Sequence, residues 1–154
     1  MNSTDLDTLE KQLDNREKPI FMKPGHCAGD LLEAYTWKVL QEESGLVELD
    51  VHLPDHVLNP RGQLFGGFTG TYIDMVAIYT VRTLFAGTPG FTWASTVNMR
   101  IDYLQPVLGP RFRIRGELIN DGRTTCLVAT SFFDQNGDKL VYAITTLRKH
   151  AQAT

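Results

Sequence analysis

Cysteine is scarce in this chain. Cys27 and Cys126 are the only two, far apart in sequence and forming no Cys-x-x-Cys unit. That excludes a disulfide-stapled secreted scaffold and favours a reduced, cytoplasmic protein. The four histidines (His26, His52, His56, His150) have no zinc-site spacing among themselves or with the cysteines. Basic excess is also missing: 15 Lys and Arg against 18 Asp and Glu leave a formal net charge of -3, which counts against a nucleic-acid binder. No apolar run approaches the roughly 20 residues of a membrane span. The first twenty residues are polar with both charge signs, so no signal-peptide core is expected there. The chain lacks a Gly-x-Ser-x-Gly elbow and a GxxxxGK[ST] loop. His26 and Cys27 make a poor nucleophile pair, because neighbours in an extended chain point opposite ways. Neither repeats nor low-complexity segments are present.

What is present suits one globular domain. A chain of 154 residues is long enough to bury a core without staples. Residues 1–35 read as an N-terminal tail with an irregular or helical segment. Leu6, Leu9 and Leu13 fall at helical spacing, and a mobile tail is the alternative. Pro24, Gly25 and Gly29 break the chain before the domain proper, placed at residues 36–154. Thr36–Glu43 and Leu46–Leu53 flank a Ser44-Gly45 turn. Val47, Leu49, Val51 and Leu53 alternate with polar residues, the period of a half-buried strand. Helical spacing of Leu31, Leu32, Tyr35 and Val39 leaves a helix open for residues 30–41. Residues 66–86 change period: Phe68, Tyr72, Ile73, Val76, Ala77 and Thr80 follow helical spacing, with further apolar residues on the other sides. A helix apolar all round is a buried one. Gly87, Pro89 and Gly90 end it. Four strands follow, at about Val97–Tyr103, Phe112–Leu118, Thr124–Phe133 and Lys139–Arg148, with Asn120-Asp121-Gly122-Arg123 a strong hairpin signal. Two strands, one helix and four strands predict an α+β fold, an antiparallel sheet of about six strands around a long central helix.

Chemistry concentrates around that helix. Asp74 is the only charged residue between Arg61 and Arg82. A carboxylate among Tyr72, Ile73, Met75 and Val76 is expected to be buried, and desolvation raises a carboxyl pKa toward values useful to a general base. A structural acid accepting local hydrogen bonds is the competing reading. Gly66-Gly67 opens the helix, where the first N–H groups lack intrahelical partners and the dipole favours negative charge. Such a start can act as an oxyanion site or be a tight turn only. Gly66 and Asp74 are eight residues apart, roughly 12 Å along one helix. They can act on one bond only if they come from two copies of the helix, side by side and antiparallel, which implies a two-fold dimer.

The run Asn59-x-x-Gly62-x-x-Phe65-Gly66-Gly67, followed by Asp74, resembles the signature of hotdog-fold acyl-CoA thioesterases of the phenylacetyl-CoA thioesterase type. The likeness extends from about Thr36 to Arg148, with a Tyr-Leu-x-Pro element at Tyr103–Pro106 and the Gly122-Arg123 hairpin. It implies that the Gly66 amide polarises the thioester carbonyl and that Asn59 holds that carbonyl or the attacking water. It implies Asp74 of the opposite subunit as base or nucleophile and Thr96 as the hydroxyl positioning water or carboxylate. Phe65, Gly67, Tyr103, Asn120, Gly122, Arg123 and Thr124 fall in substrate- and CoA-contacting regions. Phe65 stands where that family usually has histidine. A phenyl ring neither donates nor accepts a hydrogen bond; core packing is its plain reading, and His56 lies three residues before Asn59 as a partial substitute.

The resulting expectation is a cofactor-free, metal-free acyl-CoA thioesterase acting as a homodimer or a homotetrameric dimer of dimers, without nucleic-acid or membrane partners. Two alternatives differ in class: an acyl-CoA-binding hotdog protein that does not cleave, and a hotdog enoyl-thioester hydratase or dehydratase, for which His56 is the nearest histidine. Met75, Tyr79, Tyr72 and Val76 are candidates for the lining of an acyl pocket, or for ordinary core.

Overall fold

The structure, a computed structural model, describes residues 19–86 and 91–151. The Leu6–Leu13 helix and the Gly87–Gly90 terminator lie outside those residues. Six strands, β1 (Lys38–Glu43), β2 (Leu46–His52), β3 (Phe91–Tyr103), β4 (Arg111–Asp121), β5 (Thr125–Phe133) and β6 (Lys139–Ala151), form one antiparallel sheet. Their order is β1-β2-β4-β5-β6-β3. A short helix, α1 (Cys27–Leu31), precedes the sheet, and the long helix α2 (Gly66–Thr83) lies across it.

The alternation in the sequence builds this arrangement directly. Val47, Leu49 and Val51 of β2 and Phe112 and Ile114 of β4 are fully buried toward α2. The intervening Glu48, Asp50, Arg111, Arg113 and Arg115 pair across the outer face, Asp50 with Arg111 at 2.7 Å and Glu48 with Arg113 at 2.9 Å. Pairs this accessible stabilise little; they fix which face is outward. Helix α2 buries Thr69, Tyr72, Ile73, Val76, Ala77, Thr80 and Val81, the three-four spacing of one helix face. It crosses the sheet over Gly116, where an added Cβ would sit 2.2 Å from Thr80 Oγ1 and 2.9 Å from Val76 Cγ1. Glycine there allows the close approach.

Residues 19–37 form a strap across the domain. Phe21 N donates to Trp37 O and Val39 N to Pro19 O. Trp37, fully buried, stacks on Phe21 at 5.5 Å and on Tyr72 at 5.4 Å, and its Nε1 donates to Leu32 O. The indole therefore joins strap, sheet and helix. Trp37→Ala is expected to cost about 3–5 kcal/mol, read as a lowered denaturant midpoint; a loss below about 1 kcal/mol would show that the strap contributes no packing.

Several expectations shift. Residues 30–41 are neither one helix nor one strand: α1 ends at Leu31, a 3-10 turn covers Ala34–Thr36, and β1 starts at Lys38. The third strand begins at Phe91 and the last continues to Ala151. The long helix closes at Thr83, and it is not buried on all sides. Gly66 and Gly67 are exposed and Gly70, Thr71, Asp74, Met75, Ile78 and Tyr79 only half-buried, because the sheet wraps one side of the helix and leaves the other open. Among the described residues no helix is long and apolar enough to cross a membrane.

Candidate active site

The site begins in the loop that delivers the chain to α2. Asn59 Oδ1 accepts from Arg61 N at 2.9 Å and Gln63 N at 3.1 Å. Gly62 N donates to Asn59 O, and Gly62 has φ +73, a left-handed conformation that suits glycine. The Asn-x-x-Gly spacing thus encodes a side-chain-closed turn. Asn59 Oδ1 is committed to this turn, which leaves the amide NH2 as the part able to donate to a ligand. Beyond the turn, Leu64 N donates to Val107 O and Phe65 N to Val57 O, fixing the angle at which the helix starts.

Phe65 is the N-cap, in extended conformation, and no side chain caps the helix. The amides of Gly66 and Gly67 are the first of α2, where intrahelical acceptors do not exist. The Phe65 ring is not core: it is 51% exposed. It packs edge-on to Phe68 at 5.7 Å and lies over Gly67, where a Cβ would come within 2.6 Å of its Cε1. Sequence hydrophobicity suggested burial, but the cap position turns the ring outward. Tyr103, at the end of β3, donates its hydroxyl to Gly66 O at 2.9 Å and so braces the helix start.

Two turns further along α2, Asp74 faces the open side. Thr96 of β3 donates its hydroxyl to Asp74 Oδ1; among the described residues Oδ2 receives no protein donor. The expected burial of Asp74 does not hold within one protomer. The carboxylate is half-buried because its helix face looks away from the sheet. It stands in a groove of about 540 Å³ floored by α2 from Gly67 to Arg82, flanked by Met99 of β3 and by Phe21 and Met22 of the strap. Met75 and Tyr79 line the groove, whereas Tyr72 and Val76 belong to the core. Burial, and then the hydrogen bond it donates to Glu42, push the Tyr79 phenol up to about 12, so it stays neutral at physiological pH.

Gly66, Tyr103 and Phe65 therefore gather at one end of α2, and Asp74 with Thr96 at its middle. The Asn120–Thr124 hairpin is not with them. Leu118 N donates to Gly45 O, Gly45 N to Thr83 Oγ1, and Lys149 N to Thr124 O. These bonds hold the hairpin beside the far end of the helix, about 27 Å from its start for 18 residues. Cys126, next to it, is buried, donates to Asp121 Oδ1, and burial pushes its thiol up to about 11, which removes it as a nucleophile. Sequence reasoning missed the strap. Residues 19–29 show no periodicity, and only the adjacent Phe21 and Met22 hint that they cover something.

An antiparallel sheet curled around one long helix, with a carboxylate–hydroxyl pair on the open helix face and an uncapped Gly-Gly at the helix start, defines a hotdog domain equipped for acyl-transfer chemistry. The family model described as "Thioesterase superfamily" matches residues 61–141, just over half of the chain. The protein belongs to that superfamily, and thioester hydrolysis is the reaction class that membership gives it. It is 24% identical over 137 residues to acyl-coenzyme A thioesterase 13 of Mus musculus, covering 88% of this chain and 92% of that protein. A hypothetical thioesterase of Streptococcus pneumoniae TIGR4, solved with coenzyme A, superposes with a TM-score of 0.68 at 24% identity, over 77% of this chain and 92% of that one. The PaaI protein from the phenylacetic acid degradation operon of E. coli gives 0.69 at 13% identity, over 81% and 85%.

Proposed function

We propose that the protein hydrolyses an acyl- or aryl-acyl-CoA thioester to the free acid and CoA, at two equivalent sites each built from two copies of the chain. The observation that carries this reading is the placement of Asp74 and Gly66 on one open helix face, too far apart to serve one bond within a protomer. A second α2, antiparallel and beside the first, would bring its own Gly66 to Asp74. Gly67, Gly70 and Thr71 keep that face low enough for such an approach. β3 is an edge strand whose Val97 is 62% exposed; a long open edge of this kind is normally covered, and pairing β3 with its copy would do so. The same assembly would give the Asn120–Thr124 hairpin a route to a site it does not reach in its own protomer, and a dimer of dimers is the larger form consistent with that.

In this mechanism the Gly66 N–H, with the Asn59 amide, polarises the thioester carbonyl. The partner's Asp74, held by Thr96, activates water or attacks the carbonyl carbon, and the thiolate of CoA leaves. Phe65 takes no part in proton transfer and offers an apolar face beside the helix start. The coenzyme A in the Streptococcus pneumoniae structure supports CoA as the carrier. Hydration of an enoyl thioester is the weaker reading, because His56 Nε2 is held against Leu31 O on a turn outside the groove lining. The separate states of Cys27, exposed, and Cys126, buried, suit a reducing compartment, and we place the protein in the cytoplasm on that basis.

A thiol-release assay across acetyl-, octanoyl-, palmitoyl- and phenylacetyl-CoA tests the proposal. Release from at least one of them is expected. Tight binding of these compounds without thiol release would replace the hydrolase with an acyl-CoA-binding protein.

A further inference from the structure

The chain has four methionines. Met22, Met75 and Met99, all but the first residue, line the groove over Asp74. They come from the strap, from α2 and from β3, three elements distant in sequence. Methionine is unbranched, with three rotatable bonds and a polarizable sulfur, and it adapts to apolar surfaces of varying shape. The core proper uses stiffer side chains: valine, isoleucine, leucine and aromatic rings.

The strap gives this groove a firm back and a yielding front. Phe21 is locked by its stacking on Trp37 at 5.5 Å and by its tilted contact with Tyr79 at 4.6 Å. Met22 lies over Gly29, where a Cβ would come within 2.5 Å of its Sδ, so the glycine makes room for the thioether. Across the groove, Met99 Sδ approaches Gly70, 3.8 Å from where a Cβ would stand. Ile78 carries the apolar floor onward toward Arg82. Asp74 and Thr96 meet midway along this floor.

We propose that the methionine-lined groove is the acyl subsite. It takes the apolar chain of a thioester whose carbonyl carbon lies at Asp74, prefers flexible medium-length chains to acetyl, and has its reach set by Met22 and Phe21. Those two residues lie outside the superfamily match of residues 61–141, so chain selectivity resides in a segment distinct from the catalytic frame. This deepens the hydrolase reading and rests on its placement of the carbonyl.

Two measurements on the full chain test it. In the first, Asp74→Asn protein carrying 13C-methyl methionine is titrated with octanoyl-CoA and, separately, with CoA alone, each methyl being assigned by Met→Leu substitution. The Met22, Met75 and Met99 signals are expected to move with octanoyl-CoA and stay in place with CoA. Unmoved signals, or equal movement with CoA alone, would overturn the proposal. The second replaces Met22 with tryptophan in otherwise native protein. The ratio of kcat/KM for octanoyl-CoA to that for acetyl-CoA should fall at least tenfold; an unchanged ratio would overturn it. Methionine shifts without thiol release from native protein would count against hydrolysis and leave the acyl subsite standing, so the two failures are distinguishable.

Discussion

Asp74→Asn is expected to lower thiol release by about 10²- to 10⁴-fold, the range for removing a positioned base, without changing stability by more than about 0.5 kcal/mol. The asparagine is isosteric, and its carbonyl oxygen can still accept the hydrogen bond that Thr96 donates to Asp74 Oδ1. Since the side chain is half-buried at a groove edge, exchanging charge for amide leaves no uncompensated group in the core. What disappears is the carboxylate's capacity to take a proton or attack a carbonyl carbon. Steady-state thiol release paired with a thermal melt checks both halves. Full activity in Asp74→Asn would remove this residue from the chemistry; a collapsed melt would make it structural.

Gly66→Pro is expected to cost about 10²- to 10³-fold in kcat, the usual loss of one oxyanion donor, again in a folded protein. Gly66 is the first residue of α2, the position at which proline is tolerated because its missing N–H has no helical acceptor. Phe65 before it has φ -63 and ψ 125, the extended conformation that a residue preceding proline favours. Substitution thus removes the amide hydrogen and little else. Gly66→Ala is the control. Its Cβ would meet only Tyr103 Cε1, at 3.7 Å, an ordinary contact, so the alanine variant keeps its N–H and should keep most activity. Equal losses in the proline and alanine variants would point to crowding at the helix start instead of a lost donor.

Sheet and helix were legible in the sequence because their periodicities are clean. Val47, Leu49 and Val51 alternate with Glu48 and Asp50, and Tyr72, Ile73, Val76, Ala77 and Thr80 repeat at helical spacing, so each pattern names its own buried face. The strap was not legible, since residues 19–37 follow no period. Phe21 and Trp37 gain their meaning from Tyr72 and Tyr79, contacts that span some forty residues of chain. Asp74 was picked out correctly as an isolated charge, but its burial was overestimated. Local neighbours such as Tyr72 and Ile73 point into the core while Asp74 points out, a distinction that depends on which side of the helix the sheet covers. Phe65 was misjudged for the opposite reason: its apolar ring suggested core, yet the cap geometry turns it outward beside the Gly66 amide. The Asn59–Gly62 turn was visible only as a resemblance, and the hydrogen bonds of Asn59 Oδ1 give it a physical cause.

The relation between Gly66 and Asp74 makes a specific demand on assembly. If each site takes its amide from one copy and its carboxylate from another, two inactive variants can rescue one another. Gly66→Pro homodimers and Asp74→Asn homodimers each carry two broken sites. A mixed dimer concentrates both lesions in one site and leaves the other intact. Co-expressed in equal amounts with random pairing, half of the dimers are mixed, so thiol release should return to about a quarter of the native value per chain. A mixture no more active than its two components would contradict the shared site.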